Sequence, residues 1–254
     1  MTRILAVVDD SDTAPAVLAT ANALAEAVRA TVEAIHVRED GTELIEEEAR
    51  RAGMPLRVLG GDVVGEIVAA SAAADIRTVV IGGRRRPDPL RPTGHIAFAL
   101  LTRMTTSLVV VPPTAGTEIQ LRRMLVPLDG TVATADRART AIDLAEVAGI
   151  ETIVVHVCDE DRVPMFTDQP HHETRAFADE FIERYVPRAE VSLELRVGPP
   201  ADEVLIAADA LDVDLIAIVW GQILDPGHAQ VVKELLARSH VPLLFLPLES
   251  PSPT

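Results

Sequence analysis

The segment Arg3–Asp9 reads RILAVVD, and 120 residues later the segment Arg123–Asp129 reads RMLVPLD. The same shift carries the His-Val pair at His36 onto the pair at His156. Two similar motifs in one register indicate an internal repeat, in which each copy forms a unit of similar structure. The sequence therefore predicts two domains, in residues 1–113 and 120–248, joined by a linker at 114–119 and followed by a tail at 249–254.

Each copy alternates apolar runs with helical periodicity. Ile4–Val8 is an apolar run typical of a strand that is buried on both faces of a parallel sheet. Val17, Ala21 and Leu24 then recur at helical spacing. Such a series predicts a parallel sheet with right-handed crossovers. We expect an α/β fold of two tandem Rossmann-like domains, each with a five-stranded, mostly parallel sheet and helices on both faces.

The predicted elements follow this plan along the whole chain. In the first copy, helices are expected at Leu44–Arg51, Val63–Ala74 and His95–Met104, besides the helix after the first strand. The predicted strands are Ile4–Val8, Val32–Val37, Leu56–Leu59, Thr78–Ile81 and Leu108–Val111, then Met124–Leu128, Thr152–Val157, Val191–Val197, Leu215–Val219 and Leu243–Leu246.

The charge of the chain argues against two classes of partner. With 39 acidic and 23 basic residues, the formal net charge is −16. Nucleic acids and anionic membranes are bound mainly by basic surfaces, so neither is expected as a partner. Lys233 is the only lysine. An acidic excess with almost no lysine favours a halophilic source over an ordinary acidic protein, because salt screens the repulsion between carboxylates.

The chain also lacks the patterns of a secreted or membrane protein. No stretch approaches the roughly 20 apolar residues of a transmembrane helix, and acidic residues follow the first strand too early for a signal peptide. Cys158 is the only cysteine, so no internal disulfide can form. We expect a cytoplasmic protein.

The loops after the first and fourth strands are the places to look for a ligand. In open α/β sheets, ligands bind at the carboxyl ends of strands where the strand order reverses. Asp9 and Asp129 end the two first strands. Each carboxylate could accept hydrogen bonds from a ribose or an adenine amino group, or could instead cap the following helix.

The loop after the fourth strand carries the stronger signal for an anion. Residues 82–95 read GGRRRPDPLRPTGH. Glycines let backbone N–H groups approach phosphate oxygens, the start of the next helix favours an anion, and arginines neutralise it. The alternative is a solvated turn whose arginines pair with the acidic surface.

These motifs resemble the universal stress proteins, and specifically their tandem members with two domains in one chain. The resemblance extends from Arg3 to about Pro247 and rests on the VVDDS and VPLDGT starts, the His-Val pairs and the glycine loop before the last helix. It implies five-stranded Rossmann-like units that dimerise, often through their last strands. Many members bind ATP with a G-x2-G-x9-G-[ST] loop around the phosphates.

The resemblance also implies a binding site in the first copy, with ATP and Mg²⁺ as its cofactors. Three residues would flank the adenine and ribose, and six would begin and end the phosphate loop. These residues are Val7, Asp9 and Val37, followed by Ile81, Gly82, Gly83, Gly94, His95 and Ile96.

Both copies depart from the family pattern. In the first, arginines replace the middle glycine, Gly82 and Gly94 are 12 rather than 13 positions apart, and His95 stands where a hydroxyl residue is expected. In the second, Val219 and Trp220 replace the first glycine and its neighbour, and the shortened loop has no arginine. We expect the second copy not to bind ATP in the family manner.

Other candidate residues carry weaker signals. The pair His171-His172 lies in a polar insertion without the spacing that places two ligands on one helix face, so a solvated loop is the expectation. His36 and His156 end strands and are expected in the core or in loops. Cys158 has no resolving partner, so no redox role is expected.

The pattern predicts a binding module rather than an enzyme. We find no Ser-His-Asp arrangement and no G-x-x-x-x-G-K-[ST] loop, and no catalytic or metal-binding residue is expected. The first hypothesis is adenine nucleotide binding by the first copy with a regulatory output toward a protein partner. The second is a nucleotide-free interaction or scaffold protein, and slow ATP hydrolysis is a third. Pairing of the two copies predicts an intramolecular pseudo-dimer, with larger homo-oligomers left open.

Overall fold

The computed structural model of the chain describes residues 2–9, 11–38, 43–83, 95–158, 170–187, 191–221 and 226–248. Contacts divide the chain into two compact units. Unit 1 comprises Met1–Leu121 and Trp220–Thr254, and unit 2 comprises Arg122–Val219. The predicted boundaries follow the sequence repeat, whereas the compact units assign the last helix and the last strand of the second copy to unit 1.

Strands and helices alternate along the chain. The first copy contains β1 (Arg3–Val7), α1 (Ala14–Val28), β2 (Thr31–Arg38), α2 (Glu43–Arg51), β3 (Leu56–Gly60), α3 (Val63–Ser71), β4 (Ile76–Gly82), α4 (His95–Leu101) and β5 (Ser107–Val111). The second contains β6 (Arg123–Pro127), α5 (Val132–Val147), β7 (Glu151–Cys158), α6 (Pro170–Tyr185), β8 (Val191–Val197), α7 (Pro200–Ala210), β9 (Leu215–Trp220), α8 (Pro226–Arg238) and β10 (Leu243–Pro247).

The sheet of unit 1 has the strand order β3-β2-β1-β4-β5-β10. The first five strands are parallel, and β10 pairs antiparallel with β5 through Leu243–Val110 and Phe245–Leu108. The strand order reverses between β1 and β4. The last strands of the two copies therefore pair within one chain, as the resemblance implied.

The strands of unit 2 follow the order β9-β6-β7-β8, and all neighbours are parallel. Helix α5 packs on β7, and α7 packs on β7 and β8. The predicted α/β fold with mostly parallel sheets is confirmed. Within the described ranges, no helix combines the length and the apolar character needed to cross a membrane.

Burial explains why these segments fold as they do. Ile4, Leu5 and Ala6 of β1 are at most 1% exposed, because β2 and β4 flank this central strand and both of its faces are covered. Helix α1 contacts β1, β2 and β4, and buries Val17 and Ala21 at helical spacing. Apolar burial of this kind is the main favourable term in folding.

Two predicted helices are three residues shorter than expected. Helix α3 ends at Ser71 rather than Ala74, and α4 ends at Leu101 rather than Met104. At both ends a hydroxyl donates to a carbonyl three residues earlier: Ser71 Oγ to Val68 O at 2.8 Å, and Thr102 Oγ1 to Ala99 O at 3.0 Å. Such local bonds compete with continuation of the helix.

The prediction of a solvated loop at His171-His172 is wrong. Both residues lie in α6, which begins at Pro170. Proline is favoured in the first turn of a helix, where its missing N–H is not needed. Phe177, Phe181 and Tyr185 then recur every four residues, so that one face of the helix is aromatic.

A network of ion pairs crosses the amino edge of the sheet in unit 1. Arg3 donates from Nε to Asp75 Oδ2 at 2.7 Å and from Nη1 to Glu33 Oε2 at 2.5 Å. Arg57 Nε lies 2.8 Å from Glu33 Oε1. The hydrogen bond from Arg3 holds the pKa of Asp75 below its usual range.

The lowered pKa of Asp75 makes its contribution to stability dependent on pH. The ionised carboxylate is the bonded form, so its stabilisation is present above the pKa of the unfolded state and is lost as the pH falls through the folded pKa. We expect Asp75→Asn to lower the free energy of unfolding above about pH 5, and the deficit to shrink below about pH 4. Urea titrations across this range measure it, with Asp143→Asn on an exposed part of α5 as the control. A deficit that grows on acidification would contradict the ion-pair assignment.

The packing of β10 gives a second prediction. Phe245 is 1% exposed and pairs with Leu108 of β5. Phe245→Ala should lower the free energy of unfolding by about 3–5 kcal/mol, because it leaves a cavity in the core. The control Leu144→Ala, at a position that is 49% exposed, should change it by less than about 0.5 kcal/mol. Equal effects of the two substitutions in urea denaturation would exclude a packed β5–β10 pair.

Candidate functional site

The carboxyl ends of β1, β2 and β4 form the edge at which the strand order of unit 1 reverses. Val7 pairs with Ile35 on β2 and with Ile81 on β4, so these three residues lie at one level of the sheet. Gly82 follows Ile81, and Val37 lies two residues beyond Ile35. Apolar residues of β2 and β4 therefore flank the point where β1 ends.

Asp9 lies just beyond the end of β1 and shapes the turn into α1. Its Oδ1 accepts from the N–H of Ser11 at 3.1 Å and from the Ser11 hydroxyl. The Ser11 hydroxyl also lies 2.7 Å from Thr13 Oγ1. Thr13 is the N-cap of α1, and its side chain makes no capping bond. Asp9 therefore organises the loop rather than capping the helix directly.

The second oxygen of Asp9 is available. Among the described residues, no donor bonds to Asp9 Oδ2, and the side chain is half-buried. A carboxylate oxygen held by a structured turn at this edge can accept a hydrogen bond from a hydroxyl or an amino group of a ligand.

Gly82 and Gly83 have packing reasons to be glycine. A Cβ at Gly82 would collide with Thr13 Oγ1 and lie 3.2 Å from Thr13 Cβ and 3.4 Å from Val17 Cγ2. A Cβ at Gly83 would lie 3.2 Å from the Val111 carbonyl oxygen, to which Gly83 N–H donates at 2.7 Å. The close approach of α1 and of the end of β5 thus accounts for both glycines.

The remaining predicted site residues lie at the start of α4 or outside the described residues. His95 and Ile96 begin α4, which packs on α3 and β5; the first is exposed and the second half-buried. No contact that the structure describes joins either of them to Asp9. Gly94 and the arginines of the loop lie outside the described residues.

A buried histidine holds the end of β1 in place, and the prediction of site residues did not include it. His36 Nδ1 donates to the Val8 carbonyl oxygen at 2.9 Å, and the side chain is 5% exposed. Its Nε2 has no hydrogen-bond partner in the part of the chain that the structure describes. In unit 2, His156 Nδ1 donates to Leu128 O at 2.8 Å. The repeated His-Val pair was the signal for this shared role.

The second copy keeps the aspartate turn. Asp129 Oδ1 accepts from Thr131 N–H at 2.9 Å and from Thr134 Oγ1 at 2.5 Å. Thr131 is the N-cap of α5. The first loop of the second copy is therefore built like that of the first, with a hydroxyl residue two positions after the aspartate.

Trp220, which follows the position of the family's first glycine in the second copy, has a packing role. It is 2% exposed, and its Nε1–H donates to the carbonyl oxygen of Leu101, at the end of α4, at 3.1 Å. Its ring centroid lies 6.3 Å from that of Phe98, over which the ammonium of Lys233 lies at 5.4 Å. A free carbonyl at a helix end is thereby satisfied.

Two further candidates for chemistry are the Cys158 thiol and a metal site. Burial raises the pKa of the Cys158 thiol, which disfavours the reactive thiolate. Across the described ranges, no group of three or more His, Cys, Asp or Glu side chains is arranged to hold a metal ion.

The sequence and the fold of the chain are similar to those of known proteins. The model of the family described as "Universal stress protein family" matches residues 120–247. No curated protein sequence matches the chain. A universal stress protein from Archaeoglobus fulgidus is 18% identical, and the match covers 97% of this chain and 96% of that chain with a TM-score of 0.67. A functionally unknown protein from Pseudomonas aeruginosa is 16% identical, with 98% and 93% coverage and a TM-score of 0.68. At these identities, the solved structures show the fold alone.

The contacts of Gly82 generate a prediction with a matched control. Gly82→Ala should lower the free energy of unfolding by about 1–3 kcal/mol, since α1 must shift to admit the methyl group. Gly60→Ala is the control: a Cβ there meets nothing within 4 Å. It should change stability by less than about 1 kcal/mol. Urea denaturation compares the two, and equal costs would show that the contact with Thr13 does not require glycine.

Proposed function

Because the chain belongs to the universal stress protein family, we propose that its first half binds an adenine nucleotide, ATP in particular, and that occupancy changes a contact with a protein partner. The observation that carries the proposal is the position of Asp9. Its carboxylate lies at the reversal of strand order, one oxygen holds the turn, and the other is available to a ligand.

The adenosine part would lie against the ends of three strands. Val7, Val37 and Ile81 lie at this edge; Val7 is half-buried, whereas Val37 and Ile81 are 6% and 4% exposed. A base at this edge would therefore pack mainly on Val7. Asp9 Oδ2 would accept from a ribose hydroxyl or from the adenine amino group. Open α/β sheets bind nucleotides at this place in many unrelated proteins, because strand ends and loops form a crevice there.

The phosphates need donors beyond Gly83. The N–H of Gly83 is engaged with Val111 O, so it does not supply a phosphate contact. Arg84, Arg85, Arg86 and Arg91 follow in the sequence and carry the positive charge that a triphosphate requires. In this proposal, Gly94, His95 and Ile96 close the phosphate loop, as the family pattern implies.

Mg²⁺ would enter with the nucleotide rather than through a protein cage. Mg²⁺ is commonly bound by substrate phosphates, water and one or two carboxylates. The described residues hold no cluster of three metal ligands. The fit is therefore to a Mg-ATP complex whose phosphates hold most of the ion, with Asp9 as a carboxylate at the same edge of the sheet.

The proposed activity is binding, with no catalytic residue assigned. His36, which bonds to the carbonyl oxygen of Val8 next to Asp9, is buried, so it acts as a structural residue. Regulation then requires that the nucleotide bind one state of the module better than another.

A nucleotide-free interaction module is the second candidate. It is favoured by the packing explanation of Gly82, Gly83 and Trp220, each of which is accounted for without a ligand. The two candidates differ in one measurable quantity, the affinity for Mg-ATP.

Thermal unfolding with Mg-ATP tests the proposal. Binding to the folded state should stabilise the chain by RT ln(1 + [L]/Kd), about 2.7 kcal/mol at a hundredfold excess over Kd. Asp9→Ala should raise Kd by about ten- to a hundredfold, because a hydrogen bond to a charged group is lost. Asp129→Ala, which removes the equivalent carboxylate of the second copy, should leave Kd unchanged.

The same series contains the outcomes that decide against it. No shift of Tm at millimolar Mg-ATP would favour the nucleotide-free module. A loss of affinity in Asp129→Ala equal to that in Asp9→Ala would place the site elsewhere. Because Asp9 and Asp129 hold similar turns, their substitution should cost similar stability, which separates folding effects from binding.

A further inference from the structure

An aromatic cluster lies at the carboxyl ends of β6 and β7 in unit 2. It is formed by one face of α6, here called the α6 aromatic face, which consists of Phe177, Phe181 and Tyr185. The ring of Phe181 lies 4.8 Å from the imidazole of His156, and its neighbours Phe177 and Tyr185 lie 6.1 and 4.7 Å from it. Phe181 is 4% exposed, whereas Phe177 and Tyr185 on either side of it are half-buried.

The cluster contacts the backbone that follows the aspartate of the second copy. Gly130 has φ +78°, and a Cβ built there would lie 3.5 Å from His156 Cε1, 3.7 Å from Phe181 Cε2 and 4.0 Å from Tyr185 Oη. The rings are thus in van der Waals range of the residue next to Asp129. That is the place where the equivalent edge of unit 1 would receive the adenosine.

The equivalence of the two edges rests on shared bonds rather than on sequence alone. His156 donates to Leu128 O as His36 donates to Val8 O. Asp129 accepts from the N–H two residues on, as Asp9 does. The same histidine and aspartate hydrogen bonds therefore hold the two edges, and α6 is the element that distinguishes them.

The first copy has no counterpart of the aromatic face. Helix α2, which follows β2 as α6 follows β7, reads ELIEEEARR over Glu43–Arg51 and contains no aromatic residue. The insertion within the second copy thus adds aromatic side chains that the first copy lacks at this place.

We propose that the α6 aromatic face occupies in cis the base position of unit 2, so that this unit is sealed and the chain binds one nucleotide. The aromatic contact that an adenine would gain here is already made by Phe181, whose ring lies 4.8 Å from the His156 imidazole and is tilted to it by 37°. A ligand would have to displace a buried ring, which costs the apolar burial that the ring has gained. The loop after β9 departs from the family's glycine pattern and contains no arginine, so its sequence offers few phosphate contacts that could offset this cost.

This inference rests on the proposed function for its stoichiometry, but it can be tested without it. In the wild-type chain, calorimetric titration with Mg-ATP should give one site per chain. Two sites would overturn the proposal at once. If no ATP binds at all, the proposed function fails, and the second experiment still decides the role of the aromatic face.

The second experiment opens the sealed edge and uses adenosine, which needs no phosphate loop. In the Asp9→Ala background, Phe177→Ala with Phe181→Ala should create one adenosine site, with an affinity at least tenfold above that of the background. Ile182→Ala, on the same helix and half-buried, is the matched control and should create none. Adenosine binding is measured by calorimetry, and circular dichroism shows that each variant is folded.

Each outcome of the second experiment either supports or overturns the proposal. A folded double variant with no gain in adenosine affinity would show that the aromatic face is ordinary core, and would overturn the proposal. An equal gain in Ile182→Ala would do the same, since loosening of α6 alone would explain it. If the double variant does not fold, the single variant Phe181→Ala, which empties the same position with one substitution fewer, takes its place with the same expected direction.

Discussion

The parallel pairing of β1 between β2 and β4 is the constraint on which the rest of unit 1 depends. A strand with neighbours on both sides and helices on both faces must be apolar throughout, as Ile4, Leu5 and Ala6 are. The same pairing places the reversal of strand order at the end of β1. Asp9 is the first carboxylate beyond that end, so the architecture alone brings it to the crevice where open sheets receive ligands.

Each copy secures this edge with one hydrogen bond from a histidine ring, buried in unit 1 and part-buried in unit 2. A histidine at the end of the second strand donates to the carbonyl at the end of the first, in both units and with nearly equal distances of 2.9 and 2.8 Å. The bond satisfies a carbonyl that the sheet does not pair, which matters because buried unpaired polar groups are costly. The histidine bond at this edge is thus the same in both units, but the neighbouring helices differ. In unit 2, Phe181 of α6 contacts His156 at the edge, whereas α2 of the first copy has no aromatic residue.

Features of the sequence that argued for or against ligand binding also have structural causes. Gly82 and Gly83 are required by contacts with α1 and β5, and Trp220 satisfies the last carbonyl of α4. A packing role and a binding role are compatible, since a glycine that lets α1 approach also leaves the end of β4 open. The acidic chain of net charge −16 nevertheless places four arginines between positions 84 and 91, where an anion would be neutralised.

The sequence by itself determined the repeat, the α/β class and most strand boundaries, because buried parallel strands are apolar runs and helical periodicity is local. It also placed Val7, Asp9 and Gly82 at one edge, since strand ends follow from strand order. Only the tertiary structure decided that α6 covers the second edge and that Trp220 bonds to Leu101, 119 residues away. The physical reason is range: such contacts join side chains distant in the sequence, and no local propensity encodes which of them will meet.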